Sequence, residues 1–228
     1  RDIDALIIAS EYPRIVDLPL VPEDLPIVTL DGYGHAEGLA DSVVPDEFGG
    51  AMAATSHLLG AGHRRIGLFT LDPDAFIAVN LRRDGYSEAH AAHGLVPDPQ
   101  LIFTAPETAT AASFPVARAF LSRPDRPTAV FCFSDQMAFA VYEAASDLGL
   151  RIPEDLSVVG FDDQRFIADA LRPGLTTVRL PHVEMGKWAA QRALDRISGA
   201  ATGPTIVHRE SCPLIERGSV TAPPSSGS

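Results

Sequence analysis

Asp162 and Asp163 follow the apolar run Ser157 to Phe161. An acid at the carboxyl end of a buried strand faces the place where ligands of parallel sheets collect, and its two oxygens can accept hydrogen bonds from neighbouring hydroxyls. Turn formation or helix capping is the other reading of an Asp at such a place. Because adjacent strand residues point to opposite faces, the pair does not imply shared general acid and base work, and Asp163 is read as structural. Asp135 precedes the helical stretch Met137 to Leu148 and reads as its N-cap.

Other chemistries find no support in the spacing. His57 and His63 do not stand four apart as two metal ligands on one helical face would, and no Cys pair accompanies them, so neither a metal nor a cofactor is expected. The sequence lacks G-x-G-x-x-G, the G-x-x-x-x-G-K-[ST] phosphate loop and the G-x-S-x-G nucleophile turn. Of the two cysteines, Cys132 and Cys212, the first lies inside an apolar run, where a thiol behaves as a small hydrophobe. This usage fits a reducing, cytoplasmic compartment.

The elements that must position these residues are short runs of Ile, Val, Leu and Phe: Ala5 to Ala9, Ile27 to Leu30, Ile66 to Thr70, Thr128 to Phe133 and Ser157 to Phe161. Each reads as a strand buried on both faces. Between them lie helical stretches. Phe48 to Ala61, with Asp46 ahead of it, ends at Gly62; Met137 to Leu148 ends at Gly149; Met185 to Ile197 ends at Ser198 and Gly199. Alternation of this kind predicts an α/β fold with parallel sheets flanked by helices.

A chain of 228 residues, 46% of them hydrophobic, can bury one large domain or two lobes. Its formal charge of -12 offers no general attraction for a phosphate backbone. The first residues show no signal-peptide pattern, and no apolar stretch reaches membrane-spanning length. The Pro-, Ser- and Gly-rich tail, residues 221–228, is expected to be disordered.

Six segments together resemble the LacI/GalR family of transcriptional regulators. They are His57-Leu-Leu-Gly-Ala-Gly-His-Arg-Arg-Ile66, Pro127-Thr-Ala-Val-Phe-Cys-Phe-Ser-Asp-Gln-Met-Ala138, Ile152-Pro-Glu-Asp-Leu-Ser-Val-Val-Gly-Phe-Asp-Asp163, Leu175-Thr-Thr-Val-Arg179, Glu184-Met-Gly186 and Leu214-Ile-Glu-Arg-Gly-Ser219. The resemblance implies a two-lobed, periplasmic-binding-protein-like fold, with residues 1–71 and 181–211 in the N-terminal lobe and 72–180 and 212–220 in the C-terminal lobe. It likens Asp2 to Ile8 to the third strand of the first lobe. That lobe would be incomplete at its N-terminus, with the helix-turn-helix that reads DNA also ahead of residue 1. On this expectation the acidic charge belongs to a sensing domain without its DNA-reading part.

The family's effector pocket maps, by resemblance, onto Asp162, Arg82, Ser134, Asp31, Phe76, His182 and Met185. Arg82 precedes Gly85-Tyr86, and a guanidinium can hold two hydroxyls or one carboxylate; Arg83 reads as a solvated surface charge. Ser134 stands where the family has Asn and keeps one donor and one acceptor. Asp31 before Gly32 reads nearly as well as a turn residue, and Phe76 equally as core or as an aromatic stacked on a sugar. His63 reads as structural. The implied function is a repressor's ligand-sensing domain: a small effector, a sugar before a nucleobase, would be held in the cleft between lobes of a homodimer and control operator binding without being turned over. The rival readings are a transporter's solute-binding protein and a small α/β enzyme using Asp162 or Asp135.

Overall fold

The computed structural model describes residues 3–12, 14–17, 22, 24–34 and 39–224. Asp2 of the first expected strand and residues 225–228 of the expected tail lie outside them. Two compact units emerge, Arg1–Asp46 with Pro181–Cys212 and Glu47–Leu180 with Pro213–Ser228.

The first unit is built on a four-stranded parallel sheet in the order β1-β3-β5-β11, formed by β1 (Leu6–Ala9), β3 (Ile27–Leu30), β5 (Asp41–Pro45) and β11 (Val207–Glu210). A small ladder pairs β2 (Ile15–Val16) with β4 (Tyr33–Gly34). Helix α6 (His182–Ser198) lays Met185, Ala189 and Ala193 against Val28 and Val43, and Gly199, at φ 75°, ends it. Its last turns are tied to the sheet by charge. Asp41, 1% exposed, receives Arg192 at 3.0 Å, Arg196 at 2.7 Å and the Ile206 backbone N–H at 2.9 Å. Burial alone would raise the Asp41 pKa, but the bonds from Arg196 and Arg192 hold it below the ordinary carboxylate value.

The second unit has a six-stranded sheet in the order β12-β10-β9-β8-β6-β7. Its strands are β6 (Ile66–Thr70), β7 (Ile102–Thr104), β8 (Ala129–Cys132), β9 (Ser157–Asp162), β10 (Thr176–Arg179) and β12 (Leu214–Ile215); all pair in parallel except β12, which runs antiparallel to β10. The helices are α1 (Glu47–Gly60), α2 (Ile77–Ala92), α3 (Thr110–Leu121), α4 (Asp135–Asp147) and α5 (Arg165–Ala168). Residues 47–71, placed by the resemblance with the first lobe, pack here. The physical reason is pairing: β6 is hydrogen-bonded between β7 and β8, and α1 lies along α2.

Strands β6, β8 and β9 are buried on both faces, as their apolar runs require. Phe103 stacks between Phe69 at 4.4 Å and Phe120 at 3.8 Å, within a core that includes Val79, Val130, Met137 and Val141. Each such side chain contributes about 1.5–3 kcal/mol on removal from water. Cys132 is fully enclosed in this core; burial pushes its thiol up and out of the reactive range. The segment after β12 is also fixed: Ser157 Oγ receives the Thr221 N–H at 3.1 Å, so residues 221–224 do not follow the disorder expected of the tail.

Candidate functional site

The chain leaves β6 through α2 to β7 on one side and returns through α3 to β8 on the other. A parallel sheet opens a crevice where its strand order reverses, outside the carboxyl ends of the two strands concerned. Here those ends belong to β6 and β8, with β9 next in line. Four of the seven residues expected at an effector site, Phe76, Arg82, Ser134 and Asp162, come from the elements that leave these three strands.

Arg82 is the centre of the group, buried to 5% exposure on α2. Its Nε donates to Glu47 Oε2 at 2.6 Å, its Nη2 to Glu47 Oε1 at 3.2 Å, and its Nη1 to the Phe133 carbonyl. The guanidinium lies 3.6 Å from the ring centre of Phe161 and 4.3 Å from that of Phe133, both close enough for cation–π attraction. Nη2 also stands 3.7 Å from Asp162 Oδ1. Glu47, in the first turn of α1 and 2% exposed, went unread in the sequence. An acid in a helix's first turn is ordinarily a solvated residue favoured by the helix dipole, and no local signal distinguishes one that crosses to a neighbouring helix.

Asp162 ends β9 with φ at 109°, and Asp163 follows at φ 54°, two non-glycine residues in the left-handed half of backbone space. This twist sends their side chains apart. Asp162 accepts from the Gln164 amide at 3.1 Å and faces Arg82, whereas Asp163 pairs with Arg217 at 2.7 Å, a structural contact that joins the end of β9 to the segment after β12. Burial pushes the Asp162 pKa up to about 7, Arg82 pulling it down and Glu47 adding to the rise.

Asp135 is not the cap of α4. Ser134 is: its backbone is extended, and its Oγ accepts the Met137 N–H at 3.3 Å. Asp135 is already helical and turns inward, accepting from the Thr177 hydroxyl at 2.6 Å and the Gln164 N–H at 2.7 Å. It thus clamps the turns after β8 and β9 to β10. Burial raises its pKa to about 7 despite both bonds. Ser134, 4% exposed, keeps a hydroxyl proton to donate. Phe76 extends the aromatic surface, stacked on Phe133 at 6.5 Å and partly exposed.

The other three expected residues belong to the first unit. Asp31 is 4% exposed at φ 57°, its N–H bonded to the Val43 carbonyl at 2.9 Å. His182 is exposed at the start of α6, and Met185 is enclosed against Val28 and Val43, a packing position. His63 has the structural role expected: Nδ1 meets Thr128 Oγ1 at 2.9 Å and Nε2 meets the Thr221 carbonyl at 2.9 Å. Among the described residues no three His, Cys, Asp or Glu side chains gather as a metal site, and no helix is long and apolar enough to cross a membrane.

Residues 55–220 match the periplasmic binding protein-like domain family. The ribose operon repressor of Haemophilus influenzae is 33% identical over 220 residues, 95% of this chain and 64% of that protein, so the chain spans less than two thirds of that repressor's length. The crystal structure of a LacI-family transcriptional regulator protein from Rhizobium etli superposes with a TM-score of 0.84 at 35% identity, over 96% of this chain and 79% of that one. A LacI-family regulator from Enterococcus faecium, solved with bound ribose, superposes with a TM-score of 0.73 at 28% identity, over 86% of this chain and 71% of that one.

Proposed function

The chain belongs to the LacI family of transcriptional regulators through its periplasmic binding protein-like domain, and on that premise we propose that it senses a sugar on behalf of a repressor. The observation that carries the reading is the convergence of Arg82, Asp162, Ser134 and Phe76 at the carboxyl ends of β6, β8 and β9. A carboxylate that accepts two hydroxyls, a hydroxyl that donates, and an aromatic face for the apolar side of a ring are the groups a polyol needs. The ribose bound to the Enterococcus faecium regulator supports the class of ligand.

The ligand is bound and released unchanged. The one cysteine beside the cluster, Cys132, is enclosed with a raised thiol pKa, and Asp135 is committed to Thr177 and Gln164, which supports a binder over a hydrolase or transferase. The regulator works in the cytoplasm as a homodimer, with operator DNA read by a helix-turn-helix outside these residues. The relatives named above are regulators, which favours this role over that of a transporter's solute-binding protein. Effector binding alters DNA affinity only through its different affinity for two conformations of the protein.

The test is to join this chain to the DNA-reading part of the Haemophilus influenzae ribose operon repressor and follow operator binding while titrating sugars. A sugar-dependent change in operator affinity, lost in Asp162→Ala, is the expected result. Sugar binding with no change in operator affinity in any such fusion would contradict the regulatory role.

A further inference from the structure

The fork of Arg82 is already filled. Nε and Nη2 lie in a two-point pair with the Glu47 carboxylate, Nη1 is on the Phe133 carbonyl, and the guanidinium carbon lies over the rings of Phe133 and Phe161. The pair is enclosed, with side-chain exposures of 6% for Arg82 and 1% for Glu47, so bulk solvent does not compete for it. A guanidinium held in this way cannot turn its parallel donors toward a phosphate or carboxylate without abandoning a buried acid, and an acid buried alone is strongly unfavourable.

Two carboxylates, Asp162 and Asp135, share the surroundings of Arg82, while the exposed Arg179 ends β10 beside Asp162. Asp162 stands 3.7 Å from Arg82 Nη2, the nitrogen that also donates to Glu47, and Asp135 is held by the Thr177 hydroxyl. Arg217 is bound to Asp163 and Asp169 at 2.7 and 2.9 Å. With Glu47 cancelling Arg82, an anion arriving at the fork would meet the Asp162 carboxylate with no uncompensated guanidinium charge from Arg82 to offset it.

We propose that Glu47 is a specificity-determining residue: by occupying the Arg82 fork it tunes the site to uncharged polyols and excludes phosphorylated and carboxylated sugars. The proposal rests on this cluster being the effector site, and it narrows the class of effector to neutral sugars. Glu47 acts through Arg82, not by touching the ligand. Replacing it with Gln would leave one acceptor in place of two and no charge to cancel Arg82, and the site would acquire affinity for anions.

Inorganic phosphate is the probe, because it reports on the fork whether or not any sugar binds. The affinity of the wild-type chain and of Glu47→Gln for phosphate is measured by calorimetry, with circular dichroism confirming the fold. Glu47→Gln is expected to bind phosphate at least about tenfold more tightly than the wild type, the size of a gained charge-assisted pair. A folded Glu47→Gln with no gain, or a wild type that binds phosphate as tightly as the variant, overturns the proposal. Should Glu47→Gln not fold, the wild-type protein decides alone through the NMR signal of the Arg82 Nε–H. That signal is expected to stay unmoved by phosphate, and a saturable shift overturns the proposal. Failure of every neutral sugar to bind, with the phosphate result as expected, would sink the sugar-sensing function while leaving the role of Glu47 at the fork intact.

Discussion

Arg82 holds its Nη2 within 3.7 Å of Asp162 while that nitrogen and Nε stay paired with Glu47, so Asp162 is a partly buried carboxylate that receives attraction from Arg82 but no direct hydrogen bond at that distance. Burial therefore dominates, and the Asp162 pKa rises to about 7. For an acid whose folded pKa is raised above its unfolded 3.8, the contribution to stability is present below the unfolded value and lost as pH rises through the folded one. Asp135 shifts in the same direction. Through these two groups the chain is expected to lose stability from about pH 4 to about pH 7 and to level off above that, and Asp162→Asn to flatten part of that loss. Urea midpoints across this range check it; an unchanged slope in the variant contradicts it.

Removing one partner of the Arg82 pair leaves the other charge buried. Arg82→Leu is expected to lower stability by about 3–5 kcal/mol, and the double variant Arg82→Leu with Glu47→Leu to recover a large part of that loss. A double-mutant cycle in chemical denaturation measures the coupling, and strict additivity would show that the pair is not held as described.

Gly85 sets the distance between the helices that carry the pair. A Cβ there would stand 2.4 Å from the Phe48 carbonyl oxygen and 2.9 Å from Ala51 Cβ, so α2 would have to move away from α1. Gly85→Ala is expected to cost about 1–3 kcal/mol by overpacking and to loosen the Glu47–Arg82 pair as the helices part. Thermal unfolding together with the Arg82 Nε–H NMR signal tests both halves; a variant as stable as wild type would contradict the close contact.

His63 ties the base of β6 to β8 and to the segment after β12. The Thr221 carbonyl can only accept, so Nε2 carries the ring proton and Nδ1 accepts from Thr128. Burial lowers the His63 pKa, with Arg64 adding to the fall and the Thr221 bond opposing it. A lowered folded pKa gives stability that is full above the unfolded value of 6.5 and is lost as pH falls through the folded value. His63→Ala is expected to be less stable at neutral pH and to show a shallower loss on acidification, as followed by denaturation at a series of acid pH values.

The sheet of the second unit was largely legible, because strands buried on both faces are written as unbroken apolar runs; β6 is one of them. Helix α2 was not, although its buried positions Ala78, Val79, Arg82, Gly85, Tyr86, Ala89 and His90 form a regular helical stripe. An Arg, a Gly and a His interrupt the apolar signal on that stripe. Pro115 hides α3 in the same way, and β5 begins with Asp and ends with Pro while being buried throughout. At the site, Asp162 could be found from its place at a strand end. Glu47 could not, since its partner is 35 residues away and the contact exists only once α1 packs on α2. The cap of α4 fell one residue from its expected place because Ser134 and Asp135 are both good caps, and only the demand from Thr177 and Gln164 decides between them.

The most direct test is calorimetric titration of the wild-type chain and Asp162→Ala with neutral pentoses, hexoses, disaccharides and nucleosides. At least one neutral sugar is expected to bind the wild type and to lose at least about tenfold in affinity in Asp162→Ala, the loss of a charge-assisted hydrogen bond. A bound sugar whose affinity is the same in Asp162→Ala, or a folded wild-type chain that binds no sugar in the panel, would contradict the assignment of this cluster as a sugar-sensing site.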